Sequence, residues 1–307
     1  MSQVVTDLFA SVDVVEPQEA GGLQVFGLRF TPPKPHDYVT LDEALATKSL
    51  TVSEVSESGS VPTLKLTNAT GKRVFLMAGE QLVGAKQNRV LNTSLLVEVG
   101  AELPVPVSCV EQGRWAYRSQ NFGSVGTASH GNLRKLMTRQ VSGSYVRFSA
   151  PLSHQGEVWQ EVSRALSSHG SVSGSHALEQ VYEDKRTDLD AAVQSLATPE
   201  GCNGAVFALR GKVVGADLFD RPDTFKKLWP KLVRAYALDA LEAPDAAKKA
   251  VTPAEVAAWL GQSRDAVVKS FPSPALGQDV RFESPGLIGA GLIVEDTPIH
   301  VQAFREG

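Results

Sequence analysis

Alternation of apolar and polar residues predicts β-structure in roughly the first third of the chain. Runs such as Leu23–Phe30, with one break in its alternation, and Val105–Val110 repeat hydrophobic side chains at every second position, the period of a half-buried strand. Glycine and proline clusters separate these runs. The pattern predicts strands at residues 23–30, 51–55, 63–66, 74–77, 91–99 and 105–110, and a helix at 41–47 that begins after the capping box of Thr40 and Glu43.

Helical periodicity dominates the second half of the chain. Val158, Val162 and Leu166 fall on one helical face. A hairpin that turns at Arg210 and Gly211 follows later. Further expected elements are a short helix near 132–140, a helical stretch within 178–196, helices that open at Pro222 and at Thr252, and strands near 278–283, 287–295 and 298–304. Together the elements predict an α+β fold with an antiparallel β-rich core and several packed helices, mainly in the C-terminal half.

We expect residues 1–307 to form one α+β domain. A β-rich part spans about 20–115, a loop-rich excursion with many Gly and Ser residues covers 116–153, and a helix–hairpin–helix–strand part covers about 154–307. The last strands need partners, and strands near the N-terminus can supply them. For that reason the sequence does not predict a clean cut into two domains.

Composition excludes several classes of protein. The chain has 307 residues, of which 42% are hydrophobic, so a sizeable core is expected rather than disorder. A formal net charge of -4 gives no general attraction for nucleic acid, and no apolar run is long enough to cross a membrane. The first twenty residues lack a signal-peptide pattern, and two cysteines are too few for a disulfide framework. We therefore expect a soluble cytoplasmic protein, and the sequence indicates no oligomeric state.

Cationic side chains concentrate at strand ends between Met77 and Trp115. Lys86, Arg89 and Arg114 can bind a phosphate or carboxylate, because guanidinium groups bind such anions with two parallel hydrogen bonds. The alternative is a set of structural salt bridges to glutamates. The acids available for such bridges are Glu80, Glu98 and Glu111.

Three residues of this segment are candidates for catalysis. Glu80 and Glu111 can act as general acid and base if burial raises one pKa, or they can simply orient the arginines. Cys109 can act as a nucleophile if a nearby cation favours its thiolate. Its position on one strand face with Val105 and Val107 favours instead a small buried side chain.

Further polar and aromatic residues of the segment are candidates to contact a ligand. The chain has no histidine or cysteine spacing typical of a metal site, and no glycine motif typical of a phosphate loop, so no cofactor is indicated. Trp115 can stack on a base or sugar. The remaining candidates for ligand binding are Gln81, Gln87 and Asn92.

The same segment carries a resemblance to a known family. The sequence GEQLVGAKQNRVLNTSLLV at 79–97, followed by VPVSCVEQGRW at 105–115, resembles the ARG- and rhodanese-phosphatase-superfamily-associated protein domain, where ARG denotes ADP-ribosylglycohydrolase. The resemblance extends to later stretches such as VGADLFDRPDTFKKLW. It implies an association with NAD-derived or phosphorylated ligands. It implies no catalytic residues.

Three functions follow as hypotheses. The first is binding, with hydrolysis or transfer as an option, of a small phosphorylated or ADP-ribose-like ligand where residues 79–92 and 109–115 converge on one concave surface. The second is a non-catalytic ligand sensor or protein-interaction module that uses the same groups. The third is a cysteine- or carboxylate-dependent hydrolase of an unrelated substrate.

Overall fold

The computed structural model describes residues 2–242 and 249–306. The chain divides into two compact units, each described by itself. Unit 1 consists of the described residues within Met1–His36, Asp188–Pro272 and Gly277–Gly307. Unit 2 consists of Asp37–Thr187 and Ser273–Leu276. The prediction of a single domain stays a prediction.

Helices and antiparallel sheets together make up an α+β protein, as the sequence predicts. None of the helices in the described residues is both long enough and apolar enough to span a membrane. The α-helices are α1 (Ser2–Ala10), α2 (Leu41–Ala46), α3 (Gly131–Phe148), α4 (Gln155–Ser168), α5 (Leu178–Asp184), α6 (Arg186–Ser195), α7 (Pro222–Leu241) and α8 (Pro253–Gly261), with a 3-10 helix at Gln262–Asp265.

The strands are mostly short and pair with neighbours along the chain. In unit 1 they are β1 (Asp13–Val14), β2 (Gln18–Ala20), β3 (Leu23–Arg29), β13 (Gly204–Leu209), β14 (Lys212–Phe219), β15 (Val267–Pro272), β16 (Gln278–Ser284), β17 (Leu287–Val294) and β18 (Thr297–Arg305). In unit 2 they are β4 (Val39–Thr40), β5 (Leu50–Glu54), β6 (Thr63–Asn68), β7 (Val74–Leu76), β8 (Gln81–Gly84), β9 (Arg89–Leu91), β10 (Leu95–Val97), β11 (Glu102–Cys109) and β12 (Phe122–Gly123).

Unit 1 is built on one nine-stranded antiparallel sheet. Its order is β1-β3-β13-β14-β18-β17-β16-β15, with β2 paired to β3, so the closing strands do share a sheet with strands near the N-terminus. The β13–β14 hairpin turns at Arg210 (φ 50°) and Gly211 (φ 71°), two left-handed residues that give the turn the twist of its strands. One face of the sheet packs its apolar side chains with those of α1 and α8.

Unit 2 contains a six-stranded sheet in the order β12-β8-β9-β11-β6-β5 and a separate three-stranded sheet of β10, β7 and β4. A bridge between Ser53 of β5 and Asn121, just before β12, brings the two edges of the larger sheet together. The larger sheet therefore closes on itself. Its inward face carries an apolar core that includes Val52, Leu64 and Val105.

Two predicted elements of unit 2 differ from the structure. The strand expected at 91–99 is two strands, β9 and β10, which belong to different sheets. Between them the Ser94 hydroxyl accepts a hydrogen bond from the backbone of Ala78, and the Asn92 amide donates to the carbonyl of Pro151. Such side-chain bonds compete with a strand ladder. The short helix expected near 132–140 is α3, of 18 residues.

Candidate ligand-binding site

Two charged side chains lie on the apolar, inward face of the closed sheet. Arg89 of β9 pairs with Cys109 of β11 and with Leu82 of β8, and paired residues of antiparallel strands share a face. On β5, Glu54 pairs with Leu64, a member of the same core. Both charges are buried, with 0% of the Arg89 side chain and 3% of the Glu54 side chain exposed. Charges are seldom buried this way unless they are paired or serve a site.

Arg89 is only partly hydrogen-bonded. Its Nη1 donates to the backbone oxygen of Gln87 at 3.3 Å and to the side-chain oxygen of the same residue at 3.1 Å. Nε and Nη2 have no hydrogen-bond partner among the described residues. Burial lowers the pKa of Arg89, whereas Cys109 and the carboxylates of Glu54 and Glu111 act to raise it. The group nonetheless stays a cation, because guanidinium does not lose its proton in proteins.

Glu54 is the acid nearest to Arg89, and sequence reasoning did not identify it. Its Oε1 lies 3.8 Å from Nη2 of Arg89 and accepts a hydrogen bond from the Lys86 backbone at 3.3 Å. Within the described parts of the chain, its Oε2 has no hydrogen-bond partner. The sequence does contain a signal for this residue. Glu54 alternates with Leu50 and Val52, which places its side chain on the buried face of the strand.

Aromatic rings and a lysine lie beside this buried pair. The Lys86 ammonium lies 5.4 Å from the ring centre of Trp115 and 5.1 Å from that of Tyr117. The guanidinium carbon of Arg89 lies 5.7 Å from the Trp115 ring, within the range of cation–π attraction. The backbone of Gly59 (φ +77°) packs closely against Trp115 and Glu54. A Cβ at this position would lie 3.2 Å from Trp115 and 3.3 Å from Glu54. A glycine is therefore required at this position.

Arg114 and Glu111 form a saturated pair. The two donors Nε and Nη2 of Arg114 reach Oε1 and Oε2 of Glu111 at 2.9 and 2.7 Å. Other Arg114 donors bind the carbonyls of Gly84, Ala85 and Ala116, so its hydrogen-bonding capacity is spent on the fold. This is the structural salt bridge that the sequence left as an alternative. The sequence offered Glu80 and Glu98 as two further acids for such bridges. Among the described residues, neither of them pairs with Arg114 or Arg89. Glu98 pairs with Arg73 instead.

Glu111 is poorly suited to proton transfer. Burial alone would raise its pKa, but hydrogen bonds from Arg114, from the Asn88 backbone and from Ser175 hold that pKa below the ordinary value. The carboxylate stays ionised near neutral pH.

Cys109 is also poorly suited to nucleophilic attack. Burial raises its pKa to about 11, with Arg89 acting in the opposite direction and Glu54 and Glu111 reinforcing the rise. The sulfur is fully buried. The backbone N–H and carbonyl of Cys109 are both bonded to the side-chain amide of Gln155, at 2.8 Å each. Cys109 therefore occupies the small, buried strand position that its alternation with Val105 and Val107 predicts.

Three of the predicted site residues lie apart from Arg89. Gln81 pairs with Val90, so its side chain projects from the opposite face of the sheet. Asn92 accepts from Ser108, the partner of Val90 in β11, and so belongs to that opposite face as well. The carboxylate of Glu80 accepts a hydrogen bond from the Met77 backbone at 2.7 Å. The structure thus brings together Lys86, Gln87, Arg89, Cys109, Glu111, Arg114 and Trp115, and leaves Glu80, Gln81 and Asn92 elsewhere.

An open cleft of about 860 Å³ lies beside the group, and Arg89, Lys86 and Trp115 do not line it. Glu54 and Tyr117 line it, together with Glu57 and the exposed Arg118. In the part of the chain that the structure describes, no three His, Cys, Asp or Glu side chains are grouped to hold a metal ion. The charged and aromatic residues that line the cleft are Glu54, Glu57, Arg118 and Tyr117.

Comparison with known proteins assigns the chain to a family. The model of the ARG and Rhodanese-Phosphatase-superfamily-associated Protein domain family matches residues 11–304. Neither the curated proteins nor the solved structures yield a match to the chain.

Proposed function

The chain belongs to the ARG and Rhodanese-Phosphatase-superfamily-associated Protein domain family, and we propose that it binds a small phosphorylated ligand at the cleft that Glu54 lines, with Arg89 behind Glu54. The ligand class is nucleotides and nucleotide sugars. ADP-ribose and NAD are the members of that class that the family's name suggests.

The unpaired donors of Arg89 are the observation that carries this proposal. Nε–H and Nη2–H point in parallel from one edge of the guanidinium plane, the edge with which arginine binds two acceptors at once. A buried donor without an acceptor costs about 1–3 kcal/mol. A ligand that presents two acceptors to this edge removes the cost, so Arg89 is prepared for a ligand in a way that Arg114 is not.

Local charge supports an anionic ligand. Arg114 and Glu111 cancel each other, and Glu54 is the carboxylate nearest to the two cations Arg89 and Lys86. No carboxylate lies within ion-pair distance of Lys86 among the residues described. The group of Arg89, Lys86 and Glu54 therefore carries a net positive charge in a chain whose formal net charge is -4. At the cleft, Glu57 and Arg118 add one charge of each sign, and Arg118 also lies 3.7 Å from Glu179.

Binding without chemistry is the form of this function that the site groups support. A general acid needs a pKa near the working pH, and the pKa of Glu111 is lowered instead. A cysteine nucleophile needs a lowered pKa, and that of Cys109 is raised to about 11. A ligand-sensing module accordingly has more support than a hydrolase that uses either residue.

A thermal-shift titration tests the proposal. The panel is ADP-ribose, NAD, ADP, guanosine 5′-monophosphate (GMP), ribose 5-phosphate and inorganic phosphate. A ligand at a hundred times its dissociation constant adds about 2.7 kcal/mol to the free energy of unfolding. Arg89→Ala should weaken binding about tenfold or more, and Arg89→Lys should recover part of the loss because it keeps the charge without the paired donors.

Arg234→Ala is the matched control, because it removes an arginine whose partner is Asp190 in unit 1. Affinity should equal that of the parent. Arg89→Ala with parental affinity, or no stabilisation by any member of the panel, would contradict the proposal.

A further inference from the structure

The loop between β5 and β6 covers part of the buried pair. Its residue Gly59 packs so closely that an added Cβ would lie 3.2 Å from the ring of Trp115. The same Cβ would lie 3.3 Å from Oε2 of Glu54 and 3.3 Å from Cδ of Lys86. Oε2 is the carboxylate oxygen of Glu54 that has no hydrogen-bond partner among the described residues. The loop therefore lies directly against an unsatisfied group of the candidate site.

The same loop forms one wall of the cleft. Ser56 and Glu57 line the cleft next to Glu54. Arg89 does not line it, and none of the Arg89 side chain is exposed. The loop is thus a part of the chain that lies against both the cleft and the buried pair.

Few contacts hold residues 56–61 in place. The hydrogen bonds that they make in the described chain stay within the loop. The N–H of Gly59 donates to the carbonyl of Ser56 at 3.0 Å, and the hydroxyls of Ser56 and Ser58 lie 2.9 Å apart. Val61, the large apolar residue of this stretch, is 38% exposed and lies outside the core of unit 2. A segment with few buried contacts opens at a low cost in free energy.

Both ends of the loop are anchored to the sheet. Glu54 pairs with Leu64 at the end of β5, and the carbonyl of Pro62 accepts a hydrogen bond from the N–H of Val107 at 3.0 Å. Movement of residues 56–61 therefore leaves the strand pairing around Arg89 intact.

We propose that residues 56–61 form a lid, and that the lid opens to let the phosphorylated ligand reach Arg89. In the closed position Nε and Nη2 of Arg89 and Oε2 of Glu54 are buried without hydrogen-bond partners in the described chain. Opening returns water to these atoms and so offsets the contacts that Gly59 loses, because a buried donor or acceptor without a partner is costly. This inference rests on the proposed function and adds the way in which the ligand enters the site.

Gly59→Ala should shift the lid towards the open position. The new Cβ would press on Trp115 and Glu54, and alanine is disfavoured at the left-handed backbone angle of Gly59 (φ +77°). Gly71→Ala is the matched control, because Gly71 (φ +73°) lies in unit 2 with nothing within 4 Å of an added Cβ. The control carries the same kind of backbone strain without pressure on the site.

Phenylglyoxal labelling of arginine, followed by peptide mass spectrometry, measures the exposure of Arg89 without any ligand. Arg89 should react about fivefold faster in Gly59→Ala than in the parent, the factor that corresponds to about 1 kcal/mol in the lid equilibrium. In Gly71→Ala the rate should equal that of the parent. Arg114, which is bonded to Glu111 and to backbone carbonyls, is the internal reference and should react at one rate in all three proteins.

A second measurement needs no variant. In the parent, the labelling rate of Arg89 is followed at urea concentrations below the unfolding transition. Opening of the lid exposes little surface, so the rate should depend only weakly on urea, whereas exposure by global unfolding would rise steeply with it. A steep dependence, or a parallel rise of Arg89 and Arg114 labelling in Gly59→Ala, would overturn the lid. Equal Arg89 rates in Gly59→Ala and Gly71→Ala would also overturn it.

ADP-ribose separates this inference from the proposed function. At a concentration that stabilises the protein, it should slow the labelling of Arg89 in Gly59→Ala and leave that of Arg114 unchanged. If a member of the thermal-shift panel stabilises the protein but Gly59→Ala is labelled like Gly71→Ala, the proposed function stands and the lid falls. If Arg89 is exposed in Gly59→Ala but no member of the panel stabilises the protein, the proposed function falls, and the role of the loop in admitting a ligand falls with it.

Discussion

Nη2 of Arg89 and Oε1 of Glu54 lie 3.8 Å apart, near enough for their charges to interact and too far for a hydrogen bond. The neighbouring pair of Arg114 and Glu111 instead makes two bonds, at 2.9 and 2.7 Å. The two arginine–glutamate pairs of this region therefore differ in how fully their hydrogen-bonding groups are satisfied. Nε and Nη2 of Arg89 and Oε2 of Glu54 have no partner among the described residues, which is why we propose this pair, and not Arg114 and Glu111, for ligand binding.

Removal of Arg114 should destabilise the protein. Arg114→Ala leaves the carboxylate of Glu111 buried with fewer partners and frees the carbonyls of Gly84 and Ala85. We expect the free energy of unfolding to fall by about 3 kcal/mol, as for other broken buried pairs. Arg114→Lys should lose less, because the charge remains.

Urea denaturation measures this change. Arg234→Ala is a suitable control, because the pair of Arg234 with Asp190 is partly exposed and should contribute less than about 1 kcal/mol. An Arg114→Ala variant as stable as the parent would show that the saturated pair does not hold the fold.

Stability should depend on pH through Glu111. Its pKa in the folded protein lies below the ordinary value of 4.5, so the folded state binds the proton less readily than the unfolded state. The contribution of the carboxylate is therefore complete above pH 4.5 and is lost as the pH falls through the folded pKa. The gap in unfolding free energy between the parent and Glu111→Gln should narrow as the pH is lowered from about 6 to about 3. A gap that stays constant over this range would contradict the assignment.

Cys109 should behave as a structural residue. Because its pKa is raised to about 11, the thiol is protonated at neutral pH and should react slowly with iodoacetamide in the native protein. Cys109→Ser should lower the free energy of unfolding by about 1–3 kcal/mol and leave ligand binding measurable. Cys202, which is buried in unit 1, is the internal comparison. Fast alkylation of Cys109 alone would restore it as a candidate nucleophile.

Local signals in the sequence predicted many elements of the fold. The capping boxes of Thr40 with Glu43 and of Thr252 with Glu255 are both formed, and each begins its helix where expected. The hairpin at Arg210 is also confirmed. These elements are determined by residues close together in the chain, which is why the sequence reveals them.

Elements that depend on distant contacts were harder to predict. Helix α3 continues through Ser142, Gly143 and Ser144, a stretch with weak helix propensity, because it packs against α4. The break at Asn92 reflects hydrogen bonds to residues far along the chain. Propensity and alternation do not contain such information.

The candidate site also combines features that local sequence predicts with features that depend on distant contacts. The sequence raised structural and ligand-binding cations as alternatives in this segment, but did not show which arginine forms the saturated pair, and a ligand-binding role for any of them stays a prediction. That distinction depends on Glu54, a residue of β5 that reaches Arg89 only because the sheet closes. It also depends on strand register, which directs Gln81 away from Arg89 although the two residues lie on paired strands.

The most direct test of the central claim is an NMR titration of the arginine Nε–H signals. The signal of Arg89 is identified by its absence in Arg89→Lys, and that of Arg114 by its absence in Arg114→Lys. On addition of ADP-ribose or GMP, the Arg89 signal should shift and saturate over the concentrations that stabilise the protein in the thermal-shift titration, while the Arg114 signal stays in place. An Arg89 signal that does not move at concentrations that stabilise the protein would show that the ligand binds elsewhere.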